Sequence, residues 1–290
     1  MADKNWKASY NAEDNSELRR LQMAELENMR VFSDICKKNG LRFFLIGGTM
    51  LGAIRHHGFI PWDDDMDVGM PRSDYEKFLE IARKELPKGF GLLNYKKQKG
   101  YLRYFSRVIN KQVVVTNASN TKTIDEYAWL DIFPFDGMPQ NIIIQKKHLL
   151  SLTVSRFFYH ASCFDELVNL NRPGRAWYLQ AIIRFLSIAH IGRKINTRKQ
   201  MKKIERKLKK YDYDKSEYVI NLFGAYVSKE VLSKKVIGKM PHYSFEDLFL
   251  PGPEKYDQYL THFYGDYMMP PKDIEKDKHN INSISFKNDN

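Results

Sequence analysis

Asp63, Asp64, Asp65 and Asp67 crowd four like charges into five residues, directly after an apolar run, in FFLIGGTMLGAIRHHGFIPWDDDMDVGM (43–70). Carboxylates that close repel unless a cation sits between them. Asp65 to Met70 reads as a strand in which Asp65 and Asp67 alternate with Met66 and Val68. Alternation puts Asp65 and Asp67 on one face, and Asp63 has the same parity if the strand reaches back that far. Two neighbouring carboxylates suit a hard divalent cation such as Mg²⁺ or Mn²⁺, which completes its shell with water and phosphate oxygens. Asp131, flanked by Leu130 and Ile132, has the company of a third carboxylate from an adjacent strand. Asp64 has the opposite parity and is expected to face elsewhere, pairing with Arg72.

Gly47 and Gly48 follow the apolar segment and precede a helical turn from Thr49. Glycine lets a phosphate approach the backbone, and the amides of a helix start favour an anion. A Gly-Gly turn alone is weak evidence, and so is one Asp-x-Asp. In the order strand, Gly-Gly, helix, Asp-x-Asp, with a later buried aspartate, they describe phosphoryl or nucleotidyl transfer. Arg55 or Arg107 could offset charge on the phosphoryl oxygens, and a surface salt bridge is an equal reading of Arg107. Adjacent His56 and His57 point in different directions and are not expected to share an ion. Trp62 packs the loop.

The elements that must position these residues read as α+β: a mixed β-sheet with flanking helices, plus a helical region and a C-terminal segment. An amphipathic helix is predicted over 17–39, with Ser16 as N-cap and Gly40 as stop. A second covers 73–86, capped by Ser73. Strands are predicted at 42–47, 65–70, 91–95, 102–110, 112–116 and 127–136, with one more at 217–224. Residues 1–140 then form an α+β core. Residues 141–271 form a mainly helical region packed on it, and 272–290 a frayed polar tail.

The chain has 290 residues, a net charge of +12 and two cysteines, Cys36 and Cys163, without metal-ligand spacing. Residues 193–210 hold ten Lys or Arg and one Glu, hence +9. That stretch is either a solvated helix face or a contact for a polyanion: anionic membrane, phosphate-rich polymer or nucleic acid. The polar N-terminus has no signal-like apolar segment, so a cytoplasmic location is expected, peripheral to the inner membrane face if 193–210 touches lipid.

The segment GTMLGAIRHHGFIPWDDDMDVGMPRSDYEKF closely resembles the signature of the LicD family of phosphocholine transferases and the related fukutin-type transferases. LDIFPFD and YDQYLTHFYGDYMMPP are similar to later family segments, so the resemblance covers 17–136 and 245–271. It implies a nucleotidyltransferase-like fold. The implied activity is transfer of a phosphorylated alcohol, phosphocholine from CDP-choline above all, to a hydroxyl of a cell-surface glycan or its lipid-linked precursor. Teichoic acid, lipopolysaccharide and capsule are such acceptors. Carried over residue by residue, Asp65 and Asp67 fall on the metal-binding Asp-x-Asp, Asp131 on the third acidic position and Asp63 on a further acidic one. Gly47, Gly48 and Thr49 fall on the phosphate-side turn, and Arg55 on the basic residue of LGAIR. Asp131 is then either a ligand or the base. The alternative is a nucleotidyltransferase acting on nucleic acid, although no RNA-binding signature is present.

Overall fold

In the computed structural model, residues 16–118, 123–163, 195–226, 229–269 and 281–286 are described. Helix α1 (Glu17–Lys38) begins at Ser16, whose side chain accepts from the Arg19 amide. It buries Leu21, Leu26, Met29, Phe32 and Ile35 along one face. Strand β1 (Phe44–Leu45), helix α2 (Gly47–Arg55), strand β2 (Asp67–Pro71) and helix α3 (Arg72–Glu85) follow. Ser73 does not cap α3, since the helix already starts at Arg72 behind Pro71. Next come β3 (Phe90–Leu93), β4 (Ser106–Ala118) and β5 (Thr123–Met138). The two strands predicted at 102–110 and 112–116 are one, with an irregularity between Asn110 and Val114 where its register on β5 shifts.

The sheet runs in the order β1-β2-β5-β4-β10, where β10 is Ile281–Phe286, with β3 also on β4, and it is mixed as well as flanked by helices: an α+β fold. β2 and β5 are parallel, whereas β1–β2, β3–β4 and β4–β5 are antiparallel. Strand β6 (Tyr218–Ile220) extends β5 and pairs with β7 (Val231–Ser233). The core lies between this sheet and α1 and α3, where Phe32 meets Phe43 and Phe78 edge-on and Phe44 meets Phe135.

Among the described residues between 141 and 271, helices and short strands both occur. Helices α4 (Ile142–Ser162) and α5 (Thr197–Leu208) pack on each other. Four short strands follow them: β6, β7, and the hairpin β8 (His242–Phe245) with β9 (Leu248–Pro251). Helices α6 (Lys234–Ile237) and α7 (Tyr256–Tyr264) complete the order. The expected fraying of 272–290 does not extend to Ile281–Phe286, which forms β10 along β4. Ile284 packs beside the cluster containing Val113 and Val115, and that apolar contact fixes an otherwise polar stretch.

Candidate functional site

The parallel pairing of β2 with β5 sets Asp67 directly opposite Asp131. Asp67 is the first residue of β2, and its amide donates to the Thr49 hydroxyl at 2.7 Å. The Asp131 amide donates to the Met66 carbonyl at 2.9 Å. Helix α2 begins against these carboxylates. Gly47 has φ +56°, and a Cβ placed there would lie 3.3 Å from Asp67 Oδ2. A Cβ on Gly48 would lie 2.6 Å from Asp63 Oδ2, closer than a side chain tolerates. Gly47 is favoured by its positive φ, and Gly48 leaves room for the Asp63 carboxylate against the helix start. The amides of Gly48 and Thr49 belong to the first helical turn and have no partner within the helix. The Gly47 amide is taken by the Tyr259 hydroxyl at 3.1 Å.

Asp63, Asp64 and Asp65 precede β2, so strand alternation does not sort them. Asp63 instead closes a turn, its amide donating to the Ile60 carbonyl at 2.9 Å. One carboxylate oxygen from each of the three lies within 4.8 Å of the others, a group able to hold a metal ion. Asp64 thus joins the cluster rather than turning away. Arg72, its expected partner, pairs with Asp136 at 2.6 Å.

Arg107 is buried and not in a surface salt bridge. Its Nε donates to Asp131 Oδ1 at 2.6 Å and its Nη1 to Glu126 at 3.1 Å. The guanidinium stacks 4.3 Å from the Trp129 ring centroid. It holds Asp131 from behind. Arg55 is also buried; its Nη1 donates to the Tyr267 carbonyl at 2.9 Å, and it lies 5.8 Å from the Trp62 ring. Burial lowers its pKa, while Tyr264 and Asp63 raise it. His56 is pushed down to about 4 by burial and by Arg55, so it is neutral at physiological pH.

Burial pushes the Asp67 carboxyl well up, and Asp65, Asp131 and Asp63 push it further against the pull of Arg107. Negative charge is thus in excess around Asp67, which is what a divalent cation would relieve. The donor set, all carboxylate oxygen, fits Mg²⁺ or Mn²⁺ and not a soft metal. A cavity of 1190 Å³ lies elsewhere, lined in part by Lys37, Arg42, Tyr213, Lys234 and Phe249; none of Asp63, Asp64, Asp65, Asp67 and Asp131 lines it.

Sequence reading missed two contributions. Glu25 of α1 is fully buried, and its pKa is raised by burial and then by Asp65, Asp64, Asp63 and Asp131. Its signal was a polar residue set, with Gln22 and Asn28, at three-residue steps inside the apolar stripe of α1. Helix α7 contributes Tyr259 and Tyr264, the second with its hydroxyl 3.9 Å from a Cβ built on Gly47. Nothing in their spacing pointed there.

Carboxylates from two adjoining strands, facing a glycine-opened helix start on a mixed sheet, define a phosphoryl-transfer class of protein. Residues 40–171 match the family model described as LicD/FKTN/FKRP, nucleotidyltransferase domain. The chain is similar to the lipopolysaccharide cholinephosphotransferase LicD of Haemophilus influenzae, at 29% identity over 90% of this chain and 96% of the relative. It is also similar to the human ribitol 5-phosphate transferase FKRP, at 42% identity over 48 residues, 17% of this chain and 10% of the relative. Over residues 40–171 the chain is similar to the LicD family, and these similarities support a phosphotransferase enzyme.

Proposed function

We propose that this protein transfers a phosphorylated alcohol, phosphocholine foremost, from a CDP-linked donor to a glycan hydroxyl and releases CMP. The observation that carries this reading is the register of Asp67 on Asp131 beside the glycine start of α2. Asp65, Asp67, Asp131 and Asp63 would hold Mg²⁺ or Mn²⁺, with Asp64 beside them. When bound, the cation neutralises diphosphate charge and polarises the phosphorus. The amides of Gly48 and Thr49 receive donor phosphate oxygens, and Arg55 adds positive charge nearby. The acceptor oxygen attacks the distal phosphorus, the bond to the CMP oxygen breaks, and the hydroxyl proton passes to a carboxylate of the cluster. Asp131 is gripped by Arg107 at two points, 2.6 and 3.3 Å, which suits a fixed ligand better than a mobile base. Arg107 acts through Asp131. Tyr226 and Tyr264 meet at 88° with centroids 6.4 Å apart, aromatic surface suited to a quaternary ammonium head.

A thermal-shift panel tests this reading, with CDP-choline, CDP-ethanolamine, CDP-glycerol, CDP-ribitol, ATP and CTP, each with and without Mg²⁺. A ligand at a hundred times its Kd stabilises by about 2.7 kcal/mol. The expected result is a Mg²⁺-dependent rise with one CDP-alcohol. A rise with triphosphates alone would favour the nucleotidyltransferase alternative instead.

The acceptor side of the proposal is a lipid-linked glycan met at an anionic membrane surface. No helix among the described residues is long and apolar enough to cross a membrane. On α4, however, Ile143, Leu150, Val154, Phe157 and Phe158 form one exposed stripe, Leu150 at 65% and Phe157 at 56% exposure. Lys207 of α5 reaches Ser151 and Ser155 of α4, setting the helices side by side. Lys199, Lys202, Lys203 and Arg206 are exposed on α5. An apolar stripe beside a cationic one suits lipid headgroups and their acyl boundary better than a polyanion in water. Vesicles of phosphatidylcholine, with and without phosphatidylglycerol, are the probe. The protein should sediment with the anionic vesicles, and the Leu150→Glu/Phe157→Glu double variant should bind at least tenfold less. Unchanged binding, or a stripe that only mediates dimerisation, would overturn the membrane assignment.

A further inference from the structure

The buried face of α1 carries three polar residues, Gln22, Glu25 and Asn28, where an amphipathic helix would place apolar ones. Two of them have structural work. Gln22 Nε2 donates to the Asp63 carbonyl at 2.8 Å and holds the aspartate loop. Asn28 Nδ2 donates to the Ala128 carbonyl at 3.0 Å and ties α1 to β5, three residues before Asp131. Glu25 stands between these anchors. It has no exposed surface, and neither carboxylate oxygen has a hydrogen-bond partner. Burial raises its pKa, and the Asp65, Asp64, Asp63 and Asp131 carboxylates raise it further.

A buried carboxyl without hydrogen bonds is costly, and four carboxylate neighbours make its charge costlier. A plain core position would be filled by Leu or Met. Both oxygens are buried on the face of α1 that Gln22 and Asn28 hold against the aspartate loop and β5.

We infer that Glu25 of α1 belongs to the ligand set of the cation held by the aspartate cluster, a ligand lying outside the span matched by the family domain. The inference rests on the cation reading of the proposed function, and the experiment separates the two. Mn²⁺ is titrated into the full chain and the free ion is followed by electron paramagnetic resonance. Wild type, Asp67→Asn, Glu25→Gln and Glu25→Asp are compared, and each is melted in EDTA. Wild type should bind, and Asp67→Asn should bind far more weakly. Glu25→Gln should bind at least tenfold more weakly, yet melt higher than wild type in EDTA because a buried unpaired charge is gone. Glu25→Asp keeps the charge on a shorter arm and should weaken Mn²⁺ severalfold; it stands in if the glutamine variant fails to fold. Wild-type affinity in folded Glu25→Gln or Glu25→Asp, with Asp67→Asn impaired, would overturn the Glu25 assignment alone. Absence of Mn²⁺ binding by wild type would overturn the cation reading and this inference with it.

Discussion

Asp67→Asn should lower kcat/KM for transfer by about a thousandfold or more, roughly 4 kcal/mol of transition-state stabilisation. The variant should still fold. Asn keeps the shape and the backbone bond from the residue 67 amide to the Thr49 hydroxyl. It removes a charge that burial, Asp65, Asp131 and Asp63 all oppose. The sign follows from linkage. The folded carboxyl titrates above its unfolded value, so its contribution to stability is full below the unfolded pKa and is lost as pH rises through the folded one. At neutral pH in EDTA, Asp67→Asn should therefore melt at or above the wild-type temperature. With Mg²⁺ the order should reverse, because only the wild type gains stability from the ion. Transfer assays and melting curves on the same preparations decide the matter. A variant that keeps turning over would remove Asp67 from the chemistry.

Arg72→Met should be the most destabilising of the single changes considered, at about 3–5 kcal/mol. The guanidinium donates to Asp136 through Nε at 2.7 Å and Nη2 at 2.6 Å, and also to the Tyr104 hydroxyl at 3.2 Å. Asp136 is 1% exposed, so removing its partner strands a charge in the core. In a domain of this size the melting temperature should fall on the order of 10 °C. Arg72→Met/Asp136→Leu should recover most of that, because no charge is then left alone. The pair also matters to the site. Arg72 follows the last residue of β2, and Asp136 follows Phe135, the partner of Pro71 in the parallel register. The ion pair clamps one end of the paired stretch of β2 and β5 whose other end presents Asp67 and Asp131. Per folded molecule at low temperature, the double variant should therefore transfer as wild type does. A double variant as unstable as the single would show that the loss comes from packing and not from the stranded charge.

The exposed and buried faces of α1, the strand character of β2 and β5, and the α+β class were legible because each depends on local period and composition. The glycine turn and the aspartates were legible as a group because their chemistry is encoded in consecutive residues. Where reading went astray, the cause was a boundary or a distant partner. Asp64 was assigned a strand parity, but β2 starts only at Asp67 and the preceding residues form a turn. Its expected partner Arg72 was claimed by Asp136, 64 residues away. Arg107 reads equally as a surface cation or a phosphate-side one until β4 lays it across from Asp131 and over Trp129. The polar end of the chain concealed a strand because Ile284 needed the Val113–Val115 edge before it had anything to pack on.

By itself, then, the order of residues determined the class of fold, the donor chemistry of the site and the short loop that carries most of it. Period, turn chemistry and charge spacing act over a few residues and need no third dimension. Tertiary structure alone decided which carboxylates meet. The parallel register of β2 on β5 sets Asp67 opposite Asp131, and the packing of α1 brings Glu25 to the same cluster from 106 positions before Asp131. Long-range pairing is set by the burial of whole faces, and no local pattern reports it.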